Sequence, residues 1–138
     1  MSLNNKSFYI AGLTNMASFN IGCSYMKSYC YELNNYIDEF AKDYRVPKDI
    51  IKLEEEKENI EPFFKEVLNL DKKQAETFTF WLQKQAGKCN KIYTPKDNKL
   101  CDKLGGENNG ISGFYFVEYV CFIEFEKLAV VFIIGNDE

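Results

Sequence analysis

From Phe114 to Ile134 the chain consists of two β-forming runs, Phe114 to Phe125 and Leu128 to Ile134, separated only by Glu126-Lys127. Such a pattern reads as a hairpin. A two-residue Glu-Lys turn sets Phe125 opposite Leu128, although this dipeptide is poor type I′ chemistry and the turn could be a residue longer. With the shorter turn, alternation sorts the side chains onto two faces. One face carries Tyr115, Val117, Tyr119, Cys121, Ile123 and Phe125 with Leu128, Val130, Phe132 and Ile134, and belongs under helices. The opposite face carries Phe114, Phe116, Val120 and Phe122 with Ala129, Val131 and Ile133, interrupted only by Glu118, Glu124 and Gly135. That face is also too apolar for water, because a half-solvated antiparallel sheet alternates with polar residues. Phe114, Phe116, Val120, Phe122, Val131 and Ile133 are therefore the candidate interface of a homodimer, or of an equally extensive contact with another protein. The alternative is that helices of the same chain fold over them.

Upstream, Ser7 to Leu13 (SFYIAGL) reads as a short strand, being apolar, rich in β formers and closed near Gly12. From Ser24 to Tyr44 the apolar positions Tyr25, Tyr29, Leu33, Tyr36, Ile37, Phe40 and Tyr44 recur every three or four residues. That spacing predicts an amphipathic helix with Ser24 as its N-cap. Val46-Pro47 stops it, and Pro47 suits the first turn of a second helix, of which Glu54 to Glu58 forms a solvated face. Asn59 caps a third segment that turns Phe63, Phe64, Val67 and Leu68 inward. Asp71 and Gln74 resemble a capping box for a last helix that buries Phe78 with Trp81 or Leu82 and ends at Gly87. Lys91 to Thr94 reads as a brief strand, and Gly105 to Gly110 as a loop. The order of elements predicts an α+β fold: three or four helices packed on an antiparallel sheet dominated by the C-terminal β-hairpin, in one domain over residues 1–138.

Met1-Ser2-Leu3 carries no weight in this reading. With 46% hydrophobic residues the chain has ample material for one core. Its net charge of −4, with acids and bases interspersed, offers no basic stripe for a phosphate backbone, so nucleic acid is not expected as a partner. No window approaches the ~20 apolar residues of a membrane span, and no secretory leader is legible, so a cytoplasmic location without membrane contact is expected. Five cysteines, an odd number without secretory context, point to reduced thiols free of metal.

The chain contains no histidine, which removes Ser-His-Asp and Cys-His nucleophiles, His-ligated zinc and imidazole acid-base chemistry at one stroke. Cys23, Cys30, Cys89 and Cys101 lack zinc-knuckle spacing. Cys89 or Cys101 would become reactive if Lys88, Lys91 or Lys103 lowered its pKa; the plainer expectation is an ordinary thiol. Glu118 and Glu124 share a face but lie about 20 Å apart along a strand, too far for a catalytic pair. The glycines around Gly105 lack the P-loop pattern. Tyr25, Tyr29, Tyr31 and Tyr36 read as core before interface. No catalytic residue, cofactor or metal is assigned. The expected function is a protein-binding or regulatory module acting without catalysis, with a small-molecule pocket or enzyme of helix-plus-curved-sheet type, or an acidic immunity- or antitoxin-like inhibitor, as alternatives.

Overall fold

A computed structural model describes residues 2–106 and 113–137. Its centre is the hairpin. Strands β4 (Phe116–Phe125) and β5 (Ala129–Asn136) are joined by Glu126-Lys127, and the Phe125 amide donates to the Leu128 carbonyl at 2.9 Å, as the two-residue turn requires. Around it β1 (Tyr25–Tyr31), β2 (Leu53–Glu56) and β3 (Cys89–Pro95) complete a five-stranded antiparallel sheet in the order β1-β5-β4-β3-β2. The α+β class and the dominant hairpin stand as expected.

Helices cover both faces. On one lie α1 (Leu3–Ala17), α3 (Ile60–Val67) and α4 (Lys72–Ala86), whose Ile10, Phe64, Phe78 and Leu82 pack with Cys121, Ile123, Phe125, Val130 and Phe132. On the other lie α2 (Tyr36–Asp43) and α5 (Lys99–Leu104), whose Tyr36, Phe40, Leu100 and Leu104 pack with Val120, Phe122, Val131 and Ile133. The hairpin is thus apolar on both faces because it is the middle layer of a three-layer molecule.

The register shifts between Val117 and Tyr119, with Glu118 as the extra residue. A bulge of this kind moves every later or earlier side chain to the opposite face. Val117 consequently joins Phe114 in the second core, away from the face that strict alternation assigns it. Gly135 stands opposite Val117, and a Cβ there would run into the Phe116 carbonyl oxygen and, at 2.7 Å, the Phe114 ring. Only glycine fits this crossing of strands.

Three upstream elements differ from expectation. Residues 7–13 are part of α1: Leu3, Ser7, Ile10, Thr14 and Ala17 recur every three or four residues toward the interior, and Ser2 caps the helix by accepting from the Asn5 amide at 3.3 Å. Residues 25–31 are edge strand β1, with Tyr25, Tyr29 and Tyr31 on one face and Met26 and Cys30 on the other. A spacing of four satisfies both the helical and the strand period, and the tyrosines' preference for strands decides between them. The helix begins only at Tyr36, after Asn35 at φ 60°.

Pro47 opens a single 3-10 turn, Lys48–Ile50, and Leu53 to Glu56 form the outer strand β2 in place of a helix. Its exposed Glu54 and Glu55 are the charges an edge strand carries against further pairing. Asn59 and Asp71 do start α3 and α4, and Asp71 and Gln74 make a complete capping box, with 2.7 and 3.0 Å bonds. Gly87 ends α4 at φ 87°, where the hairpin turn docks: the Lys127 amide donates to the Ala86 carbonyl at 2.9 Å. The glycine-rich loop falls at Gly105 and Gly106, and its residues 107–110 lie outside the described residues.

Candidate docking surface

Five of the six candidate interface residues lie inside the chain's own second core. Phe114, Val120, Phe122, Val131 and Ile133 are buried under α2 and α5. The covering helices are those of the same chain, because Phe40 and Tyr44 lay an aromatic cluster over the sheet, with Phe40 and Phe122 edge to face at 5.2 Å. Phe116 alone stays exposed, beside Tyr115 at the rim of a recess of about 260 Å³ against α5.

The uncovered apolar surface is elsewhere. Helix α1 carries a single charged residue, Lys6, in a chain that is 28% charged. Its outward positions Asn4, Asn5, Phe8, Tyr9, Gly12, Asn15 and Met16 are all uncharged. Phe8 is 80% exposed, Met16 77% and Phe19, in the 3-10 turn Ser18–Asn20, 89%. Large apolar side chains this open to water mark an interaction surface when they are contiguous.

Contiguity comes from the pairing of α1 with α4. Beyond the end of α1, the Asn20 side-chain Nδ2 donates to the Asn69 carbonyl at 3.2 Å and to Gln74 Oε1 at 3.0 Å, which fastens it to the first turn of α4. Between the helices runs a groove of about 550 Å³. Tyr9, Leu13, Met16 and Phe19 form one wall, Thr77, Phe78 and Trp81 the other, with Leu70 and Ala17 in the floor. Trp81 is 41% exposed and meets Phe80 edge to face at 5.2 Å, so the apolar surface continues onto α4. Phe78 and Leu82 take the buried positions of α4, which leaves Trp81 on the outside.

The bulge separates Glu118 from Glu124 in face as well as distance. Glu118 accepts from Ser24 Oγ at 2.6 Å and from Asn136 Nδ2 at 3.2 Å, whereas Glu124 accepts from the Tyr36 hydroxyl at 2.6 Å on the α2 side. Burial raises the Tyr36 hydroxyl pKa, and the bond to Glu124 raises it further. Glu56, Glu58, Glu66 and Glu118 do line one depression of about 480 Å³ around Tyr119. The Tyr119 hydroxyl there is held protonated by burial, with Cys121 and the glutamates adding to the effect. Among the described residues no group of three or more Cys, Asp or Glu side chains is placed to hold a metal ion.

The thiols follow the same rule. Burial pushes Cys89 up to about 11, and burial with Asp102 nearby pushes Cys101 up to about 11, so neither becomes the activated thiolate that the adjacent lysines would favour. Cys30 and Cys121 are raised by burial too. All five cysteines are unpaired in the structure, and Cys23 alone is exposed.

The groove was hidden from sequence reasoning because Ser7 to Leu13 reads as a strand. A signal was nonetheless present in the near absence of charge between Leu3 and Ala17. No helix among the described residues is long and apolar enough to cross a membrane. No family model matches the chain, and no curated protein or solved structure matches it either.

Proposed function

We propose that the protein is a cytoplasmic binding module that acts without catalysis, and that the α1–α4 groove is where it takes another polypeptide. The observation that carries this reading is the run of exposed Phe8, Met16, Phe19 and Trp81 along the uncharged outer face of α1 and the groove beside it. Burying a Phe or Met side chain is worth roughly 1.5–3 kcal/mol, so these four supply an interface core of useful strength. The groove is partly open to solvent, which suits a helix laid against it. The missing histidine and the raised thiol pKa values support binding over chemistry. The odd number of cysteines supports the compartment.

A photo-crosslinking amino acid in place of Phe19, introduced in the native host, tests the reading. It should yield a covalent adduct with a polypeptide, and the same group at exposed Lys96, by the opposite sheet edge, should not. Equal adducts from both positions, no polypeptide adduct at Phe19, or one of small-molecule mass would refute it. The last outcome would favour an apolar ligand, for which about 550 Å³ is a sufficient volume.

A further inference from the structure

We infer that the polypeptide taken by this surface is a second copy of the same chain, with the two α1 helices crossing at Gly12; the inference rests on the binding reading above. Phe8, Gly12 and Met16 lie four residues apart on the exposed face of α1 and form one stripe. At the middle of that stripe Gly12 has nothing within 4 Å of the place a Cβ would occupy. A glycine costs roughly 1 kcal/mol in a helix interior, and no neighbour among the described residues requires it here. It does permit the closest approach of another helix axis, with Phe8 and Met16 flanking the crossing.

The charge pattern suits a second copy. A two-fold contact sets each residue near the axis against its own equivalent, so any charge there would face its like. The exposed face of α1 has none. The groove rim carries one residue of each sign, Asp71 and Lys73, so that two copies meet without a net like charge. A partner of strongly acidic or basic character would find no complement on this surface.

Light scattering and sedimentation of the purified chain test the inference, with Gly12→Lys as the key variant. The wild type should weigh twice the 16.1 kDa chain mass at submillimolar concentration and dissociate on dilution. Gly12→Lys should weaken association by about tenfold or more, while the helix signal in circular dichroism of the diluted monomer holds or rises. A structural role for Gly12 would instead lower that signal. Phe8→Lys should act on association in the same direction. A wild type that remains a monomer, or a dimer indifferent to both substitutions, would overturn the inference. The crosslink at Phe19 separates the two levels: an adduct with a different protein defeats the second copy and leaves the binding reading standing, whereas no polypeptide adduct defeats both.

Discussion

Phe122 shows how one side chain sorts the two surfaces of the molecule. On the sequence it belongs to an apolar sheet face that needs a cover, and the structure supplies that cover from α2 and α5. Phe122→Glu therefore puts an unpaired charge into a sealed core and should cost more than about 4 kcal/mol, seen as loss of the cooperative urea transition. Phe19→Glu, at 89% exposure, should leave stability within about 0.5 kcal/mol. If Phe122→Glu folded normally, the second core would be misassigned.

The cysteines make a further residue-scale prediction. Cys89 and Cys101 ionise at about 11 when folded, against an ordinary value of 9.0. Above the ordinary value the unfolded chain releases these protons first, so the folded state loses stability as pH rises from about 9 to about 11 and is unaffected below. Urea midpoints measured across that window should fall, and Cys89→Ser, Cys101→Ser should flatten the fall. Iodoacetamide should label Cys23 well before the other four at neutral pH.

At the scale of elements, α4 holds the first core together. Phe78 and Leu82 face inward, and Phe78 meets Phe64 edge to face at 5.0 Å. Phe78→Ala should cost about 3–5 kcal/mol in denaturant titration, whereas Trp81→Ala should cost under about 1.5 kcal/mol, its ring being largely outside the core. Equal losses would mean that Trp81 is structural.

The legible elements were those whose local chemistry is unambiguous. The Asp71-Gln74 box, the Asn59 start, Gly87 and the hairpin turn all appear where the residues place them. Residues 7–13 and 25–31 fit either period, and tertiary pairing decides them: β1 exists as a strand because β5 offers it a free edge. Short α5, held by Leu100 and Leu104, has too few turns to leave a periodic trace. The groove was illegible for a related reason. It needs α1 beside α4, and the Asn20 to Gln74 bond that joins them spans 54 residues.

For the molecule as a whole, the sheet is covered on both faces by helices, and α1 leaves Phe8, Tyr9 and Met16 open to water. Trp81 is the only tryptophan and lines the groove, which makes it a reporter of whether that surface is closed by another copy. The decisive measurement is the acrylamide quenching constant of Trp81 as the protein is concentrated from submicromolar to submillimolar. Association through α1 should bring a several-fold fall as copies meet, abolished by Gly12→Lys. A constant that does not change with concentration, with Trp81 as accessible at the highest concentration as at the lowest, would contradict it.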